Sequence, residues 1–148
     1  MLIKMKTPCI GVCSTGIGDS VCRGCKRFAH EIIAWNGYSI AEQQAIMARI
    51  ELLTTQVLQE RIQVLDQKQL VQQLEQNKVR VYPGLNPYCL AYDAIRAFGA
   101  QLKELNWIGC KARAPWHELS IVELKQSIDD SLFELSSAHF ERYFPGHL

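Results

Sequence analysis

SIAEQQAIMARIELLTTQVLQERIQVLDQKQLVQQLEQN (Ser39–Asn77) sets the fold class, because it contains neither glycine nor proline. Its first four residues, Ser39-Ile-Ala-Glu42, form a capping-box pattern in which side chains satisfy two orphan backbone donors at a helix start. Ile46, Ile50, Leu53, Val57, Val64, Val71 and Leu74 follow a 4–3 spacing that Glu60 and Gln67 break, and Leu58, Ile62 and Leu65 add a second apolar row. A single narrow seam suits a coiled coil, whereas the widened face favours the central helix of a bundle. The run predicts one helix over 39–77, with glutamines such as Gln43, Gln44, Gln56, Gln59 and Gln63 on its solvated side.

Downstream, Val79-Arg-Val-Tyr82 alternates weakly and ends at Pro83-Gly84, consistent with a short strand or an extended linker. Asn86-Pro87 suits the cap and first position of a helix, expected to run to about Leu105. Ser120-Ile-Val-Glu123 is a second capping box, opening a helix near 120–137 with Ile121, Leu124, Ile128, Leu132 and Leu135 in one stripe. Phe140, Tyr143 and Phe144 are costly in water, so the tail to Leu148 is expected to dock. Segments 78–86 and 106–117 have room for one two-stranded ribbon.

Upstream of the helical run, four of the six cysteines fall within seventeen residues, as Cys9-x3-Cys13 and Cys22-x2-Cys25. Two thiolates two or three residues apart can face one ion if the intervening backbone turns, and Gly11 and Gly24 stand inside the two pairs. The start, Met1-Leu-Ile-Lys-Met-Lys-Thr-Pro8, lacks the apolar core of a secretory signal, so a cytoplasmic location is expected. Reduced thiols in that compartment point to metal binding rather than to disulfides. Zinc is the usual occupant of a closed four-cysteine site, but thiolates also hold iron–sulfur clusters, and the spacing does not separate the two.

Pro8-Cys-Ile-Gly-Val-Cys13, Cys22-Arg-Gly-Cys-Lys-Arg27, Glu31-Ile32 and Trp35 together resemble a small bacterial family, domain of unknown function 1289, also labelled as iron–sulfur proteins. The resemblance covers about residues 7–38. It implies a metal-bound N-terminal module held by Cys9, Cys13, Cys22 and Cys25, and brings no established reaction. Phe28 stands where the family often has a threonine or serine able to cap the next helix, so a different start to that helix is expected. Phe28, Ile32 and Trp35 share one face of this short helix, which Asn36-Gly37 ends; Glu31 is expected to be solvated.

The expected architecture is mainly α: a four-cysteine metal knuckle in a module at 1–38, packed on a helical bundle at 39–148. The net charge of +1 conceals alternating blocks of +4 (1–30), −3 (31–76), +4 (77–117) and −4 (118–148). Such blocks suit parts that neutralise one another, and they also permit a basic face. Lys4, Lys6, Arg23, Lys26 and Arg27 surround the cysteines and are the candidate contacts to nucleic acid or to an acidic protein.

No Walker loop, dinucleotide fingerprint or His-Glu-x-x-His motif is present, and no catalytic constellation or small-molecule substrate site is read. Cys89 and Cys110 are expected to be buried and inert, although the two could form a redox pair or bind a second ion with His117; His30 could replace a cysteine ligand. Asp129, Asp130 and Glu134 read as a solvated helix face, and His139 and His147 have no evident partner. The expected role is a non-catalytic interaction or adaptor protein, with an iron–sulfur protein of electron transfer or redox sensing as the alternative. No membrane association is expected, since no run of about 18 apolar residues occurs.

Overall fold

The computed structural model describes residues 2–145. Among them are five α-helices and four short strands: β1 (Ile3–Lys4), α1 (Ala29–Ala34), α2 (Ile40–Arg61), β2 (Ile62–Val64), α3 (Gln67–Gln76), β3 (Arg80–Val81), α4 (Pro87–Phe98), β4 (Cys110–Ala112) and α5 (Ile121–Tyr143). The chain is mainly α, as its periodicity predicts. No helix is long and apolar enough to cross a membrane.

The anticipated single helix over 39–77 is two helices with a strand between them. α2 starts where expected, with Ser39 and Glu42 exchanging both capping bonds at 3.0 and 3.1 Å. It stops at Arg61 because Ile62–Val64 pairs antiparallel with β4. The Gly109 carbonyl then accepts from the Leu65 and Asp66 amides, and the Asp66 carboxylate caps α3 by accepting from the Gln69 amide at 3.0 Å. Apolar periodicity continues across the break because Ile62 and Val64, buried and half-buried, still serve the core side of the ribbon. Helix and strand cannot be separated on periodicity alone in so short a run.

Two compact units divide the chain. The first comprises residues 1–7 and 54–128, the second residues 8–53 and 129–148. In the first unit α3 packs on α4, with Leu70, Leu74, Leu90, Ala94 and Ile95 buried. α4 begins at the predicted Asn86 cap, whose side chain accepts from the Tyr88 and Cys89 amides. It ends earlier than expected, at Phe98, followed by a 3-10 turn over Gly99–Gln101. Two ribbons form rather than one: β3 pairs parallel with β1, and β4 pairs with β2.

The second unit is built on Val21, Phe28 and Phe140, all buried, with Phe133 and Phe144 packed against them. Phe28 meets Phe140 edge-on at 5.1 Å and Phe144 at 5.9 Å. α5 therefore continues beyond the predicted end near 137, because its last turns carry the aromatic residues that the N-terminal segment covers. Phe140 docks as expected, while Tyr143 is exposed; Gly146, His147 and Leu148 lie outside the described residues.

Candidate metal centre

Cys22 and Cys25 sit on a tight hairpin. Val21 bridges Phe28, the Cys22 amide donates to the Arg27 carbonyl, and the Lys26 amide donates back to the Cys22 carbonyl, both at 2.9 Å. Closing so short a loop puts Lys26 at φ 67°, a left-handed conformation that glycine adopts far more readily than lysine. The hairpin is almost wholly buried, with Cys22 1% and Cys25 6% exposed.

The first cysteine pair lies against this hairpin through its backbone. The Cys22 thiol donates to the Val12 carbonyl at 3.3 Å, and the Arg23 amide donates to the buried Ser14 hydroxyl at 2.8 Å. Gly24 is required where the two loops meet: a Cβ there would collide with the Val12 carbonyl oxygen and crowd Ile10 at 3.2 Å. Gly11, inside the first pair, has φ 88° and turns the chain between Cys9 and Cys13. Both of those cysteines are exposed; the Gly11 amide donates to the Cys9 sulfur, and Cys13 bonds with Thr15.

Of the four expected ligands, Cys22 and Cys25 share the buried hairpin, while Cys9 and Cys13 stand exposed on the loop docked beside it. Among the described residues no group of three or more histidine, cysteine, aspartate or glutamate side chains converges as an ion site. Burial alone would raise the Cys22 thiol. The backbone amides of Cys25, Ser14 and Gly24, with the Cys25 side chain, outweigh it and hold Cys22 below the ordinary thiol value. Burial prevails at Cys25, which is pushed up despite the guanidinium of Arg27, whose Nε donates to its sulfur at 3.3 Å. The donor set fits a thiophilic metal: a tight pair of sulfurs, amides directed at one of them, and a second pair on a loop docked beside it.

The basic residues divide between burial and exposure. Lys26 and Arg27 are 3% and 4% exposed, which removes them from any outward cationic face. The Lys26 ammonium donates to the Arg23 and Gly24 carbonyls, and Arg27 lies over the Trp35 ring at 4.7 Å. Inside the hairpin both cations are held by carbonyl and sulfur acceptors. Arg23 is outward, paired with Asp19 at 3.3 Å and stacked on Phe133 at 3.9 Å. Lys4 and Lys6 are exposed and belong to the first unit.

Glu31 is a second correction, because it is buried rather than solvated. Its carboxylate accepts from the Phe28 amide at 2.8 Å and from both terminal nitrogens of Arg49 at 2.7 Å. This supplies the start of α1 with half of a capping box, while the Phe28 ring turns into the aromatic cluster. Glu31 at the third helical position was the legible signal; Arg49, distant in sequence, was not. His30 meets Phe144 edge-on at 4.8 Å and stands exposed. Cys89 and Cys110 are buried, as expected, and burial pushes the Cys110 thiol up to about 12.

Residues 7–53 match the family model described as Protein of unknown function (DUF1289). The matched segment ends at Leu53, where the N-terminal stretch of the second unit also ends, so it includes Arg49 as well as the four cysteines. Searches of curated proteins and of solved structures found no match.

Proposed function

We propose that this is a non-catalytic, cytoplasmic metal-binding protein in which Cys9, Cys13, Cys22 and Cys25 hold one metal centre. The observation that carries the reading is the docking of the two cysteine loops, through Val12–Cys22, Ser14–Arg23 and the absent side chain of Gly24. A bound zinc ion or iron–sulfur cluster would draw the exposed Cys9 and Cys13 thiolates toward the Cys22–Cys25 pair. The binding energy would then be part of the folding energy of residues 8–27. Arg27 and Lys26 would offset the formal negative charge of four thiolates. The role of such a module is to present a fixed surface to a protein or nucleic-acid partner, with Arg23 its outward cation.

Metal analysis and the ultraviolet–visible spectrum of anaerobically purified protein test this, together with native mass spectrometry of two variants. Cys22→Ser is expected to lose the metal and Cys89→Ser to keep it. Full retention in Cys22→Ser refutes the site. A zinc-loaded, colourless protein supports the structural role. Charge-transfer absorption from a cluster moves the reading to electron transfer or redox sensing, since a closed zinc site undergoes no redox change.

A further inference from the structure

The first unit holds a cavity of about 430 Å³, near the small end of the roughly 300–1,000 Å³ range of ligand sites. Its floor is apolar: Cys110 and Leu124 line it and are each 1% exposed. Cys110 adds no charge there, because its thiol donates to the Ile108 carbonyl at 3.5 Å and burial pushes it up to about 12. Leu65 and Leu119 stand at the mouth, 61% and 36% exposed, where an apolar ligand would take them out of water.

Hydrogen bonds hold each wall in place. The Leu65 amide donates to the Gly109 carbonyl at 2.8 Å, and Gly109, at φ 70°, approaches Asp66 so closely that a Cβ would collide with its carbonyl. Gln69 donates to the carbonyls of Asn106 and Trp107 at 2.8 and 3.0 Å, which ties down the loop after Lys103. The Leu119 amide closes a 3-10 turn on the Trp116 carbonyl at 3.1 Å, and Ser120 and Glu123 exchange capping bonds just beyond it. A cavity whose walls are already held costs little ordering when a ligand enters. Its rim carries Lys103, Lys111 and His117, all exposed, against one acid, Glu104. With His117 neutral, two lysines and one glutamate leave the rim at +1. None of the three basic side chains forms an ion pair among the described residues.

We propose that this cavity binds a small amphipathic monocarboxylate, an alkyl carboxylate of about eight carbons in keeping with a site of this size. Its chain lies on Leu124 between Leu65 and Leu119, and its carboxylate faces Lys103 and Lys111 at the rim. Apolar lining with a few convergent polar groups is the usual composition of a small-molecule site: the lining supplies affinity and the polar groups orient the ligand. One net positive charge matches one carboxylate. A polyanion would leave charge unmatched above an apolar floor, and burying an unpaired charge is costly. Because the lysines are exposed, their attraction is partly screened, so they select the headgroup more than they add affinity. The site includes none of the four candidate metal ligands and stands independently of the metal reading.

The test is isothermal titration of the full chain with sodium octanoate, 1-octanol and octylammonium chloride, which share one alkyl chain and differ in headgroup charge. Octanoate should bind saturably, one per chain. Octanol should bind ~5-fold more weakly, as the loss of two exposed charge contacts implies, and octylammonium more weakly still. Replacing both lysines, Lys103→Gln with Lys111→Gln, should bring octanoate down to the octanol affinity and leave octanol unchanged. Leu119→Asp should weaken octanoate and octanol alike. If Leu119→Asp misfolds by circular dichroism, the two lysine substitutions, both at exposed positions, still decide. Absence of saturable octanoate binding with a Kd below about 1 mM overturns the proposal. So does equal affinity for the three ligands, or octanoate binding that the lysine substitutions leave unchanged.

Discussion

Arg49 grips Glu31 with two parallel hydrogen bonds of 2.7 Å, and its guanidinium lies 3.9 Å above the Phe28 ring. One side chain of α2 thereby holds the start of α1 and the aromatic residue that follows the cysteine hairpin. The pair is mostly buried, at 20% and 7% side-chain exposure, so each charge relies on the other. Removing one partner of a buried pair costs about 3–5 kcal/mol, mainly by stranding the other. Arg49→Ala is expected to lose stability near the lower end of that range in urea unfolding. Glu31→Gln should lose less, because the amide oxygen can still accept from the Phe28 amide. Equal, negligible losses would show that the pair does not organise this unit.

Gly24→Ala should disrupt the contact between the two cysteine loops. The added methyl cannot avoid the Val12 carbonyl without moving backbone. A loss of about 1–3 kcal/mol is expected, as for other overpacked sites, with weaker metal retention in the same sample. Gly16→Ala is the control, since nothing lies within 4 Å and its φ is ordinary. Chemical unfolding and metal content of the two variants should diverge; matching behaviour would show that the loops do not touch.

Lys26 combines a strained backbone with a buried ammonium, and two substitutions separate these contributions. Lys26→Ala loses the bonds to the Arg23 and Gly24 carbonyls and keeps a side chain at φ 67°. Lys26→Gly loses the same bonds but relieves the left-handed conformation. Glycine should therefore be more stable than alanine by about 1 kcal/mol in denaturant unfolding. The opposite order would place the cost of Lys26 elsewhere.

Asp93 predicts a pH dependence in the first unit. Burial raises its carboxyl above the usual aspartate value, outweighing the attraction and hydrogen bond of Arg96 at 2.6 Å. Its Oδ2 is buried without a hydrogen-bond partner. The folded state thus holds this proton more tightly than the unfolded state. Stability from Asp93 is complete below the unfolded value of about 3.9 and falls as pH rises through the raised folded value. Asp93→Asn cannot ionise, so its stability relative to the parent should increase from pH 3 to pH 7 in urea melts. A constant or shrinking difference would mean that Arg96 fully compensates the charge.

The sequence by itself determined the features that rest on neighbouring residues. Ser39 with Glu42, Ser120 with Glu123, and Asn86 before Pro87 mark helix starts because each cap is made within three residues. The cysteine spacing likewise exposed the candidate centre, since two tight turns with Gly11 and Gly24 can be read from adjacent positions. Only the tertiary structure decided what depends on distant ones. Ile62–Val64 became a strand because Cys110–Ala112 arrived beside it, overriding a helical pattern that was locally sound. Glu31 became buried because Arg49, eighteen residues further on, neutralised it. Burial and strand pairing are set by which surfaces meet, and local propensity carries no record of a partner fifty residues away.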